Sequence, residues 1–120
     1  MKKVFISGGS GYIAMYCIKI LIKKGYHIVT SVREKSQIDI VKKSLSRNNI
    51  SSENIDFKIL DLLKDEGWDD ALKGCEYVLH VASPVIPGNV DEDSLVRPAV
   101  EGMTRCLNAA IKNGAKKFVQ

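Results

Sequence analysis

The chain opens on an apolar run, Val4-Phe5-Ile6, that breaks into Ser7-Gly8-Gly9-Ser10-Gly11 and resumes at once with helical spacing. From Tyr12 to Lys24 the residues Ile13, Ala14, Cys17, Ile18, Leu21 and Ile22 recur three and four apart, while Lys19, Lys23 and Lys24 take the polar side. This predicts strand, tight turn and helix, with Gly25 stopping the helix. His27-Ile28-Val29-Thr30-Ser31-Val32 is then a β-branched run of strand length, followed directly by Arg33.

Ser36 to Arg47, with Ile38, Val41 and Leu45 in register, predicts a second helix opened by Ser36 as N-cap. A polar connection through Asn48, Asn49, Ser51, Ser52 and Asn54 leads to a third strand, Asp56 to Leu60, ending in Asp61-Leu62. A short helix from Glu66 to Lys73 buries Trp68, Ala71 and Leu72 and stops at Gly74. Cys75 to Ala82 has the length of a fully buried parallel strand, which Ser83-Pro84 ends. A long helix from Asp91 to Asn113 follows, with Pro98 either beginning its regular part or kinking it. Lys116 to Gln120 reads as a fifth strand.

Alternating strands and helices of these lengths predict an α/β fold, a Rossmann-type doubly wound parallel sheet of about five strands in the order 3-2-1-4-5. The first turn carries the chemistry of that fold. It spells G-x-x-G-x-x-A through Gly8, Gly11 and Ala14. Gly8 lets the chain turn out of the strand, Gly11 leaves the backbone open to a pyrophosphate, and Ala14 lets the helix lie close on the strand. The free N–H groups of the helix start and the positive end of its dipole make an anion site. An ordinary glycine-rich loop has the same composition, and the strand before and helix after are what separate the two.

Arg33 stands 22 residues beyond Gly11, near the point about 20 residues on where such folds place an acid against the adenosine ribose. A guanidinium there offers no acceptor to a 2′-hydroxyl but can grip a 2′-phosphate, which favours NADP(H) over NAD(H). Glu34 follows directly and leaves NAD(H) open, and a surface arginine without a ligand is the plain alternative. Asp61 either accepts from an adenine amino group or caps the next helix. His80, inside an apolar run, reads as a satisfied core histidine, and Ser83 falls at the carboxyl end of its strand, where open α/β sheets bind ligands.

At 120 residues, 45% hydrophobic and 27% charged, the chain suits one domain over 1–120 with a real core. No apolar run approaches the roughly 20 residues of a membrane span, so no membrane partner and a cytoplasmic location are expected. Cys17, Cys75 and Cys106 lack metal or disulfide spacing and read as buried or free thiols. The net charge of +4 is uneven: residues 1–52 carry ten Lys/Arg and two acids, residues 53–120 eight and twelve. With no aromatic interleaving among the lysines, the basic half suits a phosphate-rich cofactor better than nucleic acid.

Taken together, SGGSGYIA, TSVRE, Asp61-Leu62, GCEYVLHVASP at 74–84 and SLVRPAVEGMTRCL at 94–107 resemble the dihydroflavonol reductase-like branch of the extended short-chain dehydrogenase/reductases, within the NAD-dependent epimerase/dehydratases. The resemblance runs from Lys3 to Gln120. It implies that Gly8, Ser10, Gly11, Tyr12 and Ile13 hold the pyrophosphate and Arg33 the 2′-phosphate. It places adenine at Asp61 and Leu62, and the nicotinamide-ribose side at Val81, Ala82 and Ser83. The family's lysine shortly after the arginine has no match, because Lys35, Lys42 and Lys43 are off register.

The resemblance further implies hydride transfer from NADPH to a ketone or aldehyde, with a tyrosine donating the proton, a lysine four residues on lowering its pKa, and a serine or threonine holding the carbonyl. Here Tyr16, Ile20, Thr30 and Val81 stand four residues after Tyr12, Tyr16, Tyr26 and Tyr77, so no such pair exists. The family serine, the remaining strands and the substrate part are expected beyond Gln120. Two readings stay open: the cofactor half of a carbonyl reductase, inactive alone, or a stand-alone NADP(H)-binding or regulatory module. A short fifth strand with an open edge also predicts self-association or marginal stability.

Overall fold

The computed structural model describes residues 2–62, 64, 66–81 and 92–119, and the side chains of all of these except 92–99. Among the described residues nine elements alternate: β1 (Lys3–Ile6), α1 (Tyr12–Lys23), β2 (His27–Val32), α2 (Ser36–Arg47), β3 (Ile55–Ile59), α3 (Trp68–Leu72), β4 (Tyr77–Leu79), α4 (Glu92–Lys112) and β5 (Lys117–Val119). All neighbouring strands pair in parallel, in the expected order β3-β2-β1-β4-β5.

The sheet separates two cores because side chains alternate across it. Val4, Ile6 and Ile28 face α1 and α2, where Ala14, Ile18, Val41 and Leu45 meet them. Phe5, Val29 and Val78 face the other way, onto Trp68, Ala71 and Leu72 of α3 and Cys106, Ala109 and Ala110 of α4. The central strands therefore read as continuous apolar runs, while the outer β3 and β5 carry exposed positions. Buried Ala14 is the small residue that brings α1 onto its strands.

Several expected boundaries shift for local reasons. Helix α1 stops at Lys23, with Lys24 as C-cap and Gly25 at φ +92°, a left-handed turn that glycine adopts without strain. Ser36 is not a cap, because the cap position falls on Lys35 and carries no side-chain hydrogen bond. Helix α3 begins at Trp68 rather than Glu66, since its N-cap is Gly67 in a left-handed conformation. That position also removes Asp61 as a helix cap. Strand β4 shortens to three residues, because the Cys75 N–H closes the end of α3 on the Leu72 carbonyl at 3.0 Å. Helix α4 runs through position 98, so Pro98 does not begin it.

Candidate functional site

Because β1 pairs with β2 on one side and β4 on the other, the connections leave β1 and β4 in opposite directions, opening a crevice at their carboxyl ends. The turns after β1, β2 and β3 and the residues after β4 all lie along this edge. The sequence-predicted positions Gly8, Ser10, Gly11, Tyr12, Ile13, Arg33, Asp61, Leu62 and Val81 are thus brought to one edge of the sheet. Ala82 and Ser83 lie outside the described residues.

The turn after β1 is fastened from β2. Gly8, at φ +69°, turns the chain as expected, and its N–H donates to Ser31 Oγ at 2.9 Å. The Gly9 N–H donates to the Ser31 carbonyl at 2.7 Å, and the Gly11 N–H returns to the Gly8 carbonyl at 2.9 Å. Thr30 Oγ1 donates to the Ile6 carbonyl at 2.7 Å. A Cβ on Gly9 would run into the Thr30 hydroxyl and methyl, so this glycine is demanded by packing. Gly9, Thr30 and Ser31 are structural members of the turn that the sequence reading passed over. Their signal was two hydroxyls, both buried, at the end of an apolar strand run.

With those donors spent inside the turn, the N–H groups of Ser10, Tyr12 and Ile13 have no acceptor among the described residues. Gly11 is the N-cap of α1 and supplies no side-chain cap. Tyr12 and Ile13 are 89% and 65% exposed, so their side chains stand clear of the protein's own core. An anion fits such a cradle at the positive end of a 12-residue helix.

After β2, Arg33 is exposed and its guanidinium has no partner among the described residues. The turn is held by Gln37, whose Oε1 accepts from the N–H of Arg33 at 2.7 Å and of Glu34 at 3.0 Å. Gln37 was not foreseen; its place four residues after Arg33, on the first turn of α2, is the signal. After β3, Asp61 and Leu62 are half-buried, and the Asp61 carbonyl accepts from the Lys64 N–H at 3.1 Å and the Trp68 indole at 3.3 Å.

After β4 the chain is tied to β1 through Ser7. Its Oγ accepts the Val81 N–H at 3.0 Å and lies 3.0 Å from His80 Nδ1, while the Ser7 N–H donates to the Leu79 carbonyl at 3.0 Å. His80 is buried, stacks on Phe118 with centroids 6.3 Å apart, and donates its backbone N–H to Val119. It is the satisfied core histidine expected, and burial holds its pKa below the ordinary value. Burial also pushes Cys75 and Cys106 up to about 11 and about 12, which leaves both as inert thiols. Among the described residues no cluster could hold a metal ion, and no helix is long and apolar enough to cross a membrane.

Tyr26 and Tyr77 meet edge-on, 6.3 Å apart, at the amino ends of β2 and β4, on the opposite side of the sheet. Tyr12 and Tyr16 stand exposed on α1.

Known proteins share this arrangement. A Candida albicans protein named as a candidate NADPH-dependent methylglyoxal reductase is 40% identical over 116 residues, covering 92% of this chain and 34% of its own. Dihydroflavonol 4-reductase of Arabidopsis thaliana is 31% identical over 120 residues, covering 98% and 31%. The crystal structure of yeast methylglyoxal/isovaleraldehyde reductase Gre2 complexed with NADPH superposes with a TM-score of 0.75 at 27% identity, over 93% of this chain and 33% of that one. The chain thus spans about a third of the length of the relatives it matches. The family described as NAD dependent epimerase/dehydratase matches residues 4–120, and with the glycine turn at the switch point of a 3-2-1-4-5 sheet the chain belongs to that family.

Proposed function

We propose that the chain binds NADP(H) along the carboxyl edge of its sheet, as the cofactor-binding part of a reductase for small ketones or aldehydes. The observation that carries this is the pairing of a pre-formed N–H cradle after β1 with a guanidinium after β2 that has no partner among the described residues. The N–H groups of Ser10, Tyr12 and Ile13 take the pyrophosphate, with Gly8 and Gly11 shaping the turn. Arg33 takes the 2′-phosphate in forked geometry. Asp61 and Leu62 border adenine, and Val81 with Ala82 and Ser83 the nicotinamide ribose. Bound NADPH supplies the hydride of the reaction. The chain's own residues bind and orient that cofactor, and its four tyrosines, none followed by lysine four residues on, do not supply the proton.

Calorimetric titration with NADPH and NADH tests the reading. NADPH should bind more tightly, and Arg33→Ala should lose about tenfold or more in NADPH affinity, the scale of a charge-assisted phosphate contact, with little change for NADH. Equal loss for both would separate Arg33 from the 2′-phosphate. A stand-alone binding module shares these outcomes and differs in one: the missing tyrosine-lysine pair then belongs to its function, and it regulates a partner without turnover.

A further inference from the structure

Groups on two helices converge on the backbone of the turn after β3. From α4, Arg105 donates through Nη1 to the Leu62 carbonyl at 2.7 Å. From α3, the Trp68 indole donates through Nε1 to the carbonyls of Lys64 at 3.0 Å and Asp61 at 3.3 Å. Gly102, buried on α4, makes room for the Leu62 side chain, since a Cβ there would lie 3.0 Å from Leu62 Cδ2 and 3.1 Å from its Cβ. Each peptide unit is planar and trans, so a fixed carbonyl fixes the N–H on its other side. The Asp61 carbonyl is drawn to Trp68, so the Leu62 N–H points away from it. The Arg105 bond fixes the next carbonyl, that of Leu62, so the Leu62 backbone is held from both sides.

We propose that Arg105 is a positioning residue for the adenosine half of the cofactor: by holding the Leu62 carbonyl, with Trp68 and Gly102 completing the seat, it sets adenine affinity from α4. The proposal rests on the assignment of Asp61 and Leu62 to adenine made above. It adds a helix that touches no part of the cofactor in that reading. A guanidinium-to-carbonyl bond is charge-assisted, so its loss is larger than that of a neutral contact.

Arg105→Met keeps the apolar stem and removes the donors. In the purified protein, affinity for NADPH, NADH and 5′-AMP should fall by one common factor, about tenfold for a single charge-assisted bond, leaving the NADPH to NADH ratio unchanged. Arg105→Lys, which can still donate once, should recover part of the loss. Gly102→Ala, which makes Leu62 give way, should weaken the same three ligands with Arg105 intact. Trp68 is the only tryptophan, so its emission during a 5′-AMP titration reads the turn directly, with its midpoint shifted in both variants. Wild-type 5′-AMP affinity in Arg105→Met and Gly102→Ala would overturn the proposal while Arg33→Ala still separates NADPH from NADH. A wild-type protein that binds neither NADPH nor 5′-AMP would overturn the cofactor reading itself. If Arg105→Met does not fold, Gly102→Ala decides by the same readout.

Discussion

The turn after β1 and the turn after β2 lie side by side, since β1 and β2 pair in register from Lys3–His27 to Ile6–Thr30. The first is sunk into the protein: Ser7, Thr30 and Ser31 are buried, and the turn's own N–H groups are largely consumed in holding its shape. The second is exposed through Arg33, Glu34 and Lys35, and one carboxamide oxygen takes the N–H groups of Arg33 and Glu34. The first presents backbone N–H groups, which any pyrophosphate satisfies. The second presents side chains, which in the proposed reading distinguish one ribose from another and, being exposed, change by one substitution without disturbing the core. In the proposed reading, generic anchoring therefore sits where the fold is least tolerant, and selectivity where it is most tolerant.

The widest gap between the two turns should come from Gly9→Ala. The new Cβ meets Thr30, whose hydroxyl is committed to the Ile6 carbonyl, so the cost is that of overpacking, about 1–3 kcal/mol, with loss of affinity for every dinucleotide. Urea unfolding of Gly9→Ala, Thr30→Ala and the double variant checks this. The double variant should be more stable than the sum of the single losses predicts, because removing Thr30 opens the space. If the losses simply add, the clash is not what makes Gly9 necessary.

At the second turn, Gln37→Ala should be milder. The N–H groups of Arg33 and Glu34 lie at an exposed turn where water can replace the carboxamide, so stability should fall by about 0.5–1 kcal/mol, as for a lost helix cap. NADPH affinity should fall a few-fold while NADH affinity stays, since only the Arg33 side loosens. A loss larger than that of Arg33→Ala would mean the backbone and not the guanidinium carries the selectivity.

How much of this was legible follows the range of the interactions. The strand His27–Val32 and the helix Ser36–Arg47 have the expected bounds because periodicity and β-branching are local signals. The sheet order followed from apolar runs alternating with helices. Gly9 looked like one glycine among three, because the Thr30 side chain that forbids a Cβ arrives only when β2 pairs with β1. Gln37 in place of Ser36 as the anchor of α2 reverses the usual cap, a reach backward that spacing alone does not select. Arg105 meets Leu62 across 43 positions, and nothing local marks it. Asp61 lost its reading as a helix cap once Gly67 proved to be the N-cap of α3.

The smallest expected effect concerns how the first turn is tied to β4. His80 is buried between Ser7 and Phe118, and burial lowers its pKa below the ordinary value near 6.5. The unfolded chain then binds the proton more readily than the folded one, so stability is fully present above the unfolded pKa of about 6.5 and declines as pH falls below it. The neutral ring can take the Ser7 hydroxyl proton on Nδ1 while Ser7 Oγ accepts from the Val81 N–H; a protonated ring would require that oxygen to accept twice. Thermal melts of wild type and His80→Gln between about pH 5 and 8 isolate this, since carboxylate titrations are common to both. The wild-type curve should fall relative to the variant only on the acid side. Parallel curves would show that the Ser7–His80 contact is indifferent to protonation and contributes no pH dependence to the tie between β1 and β4.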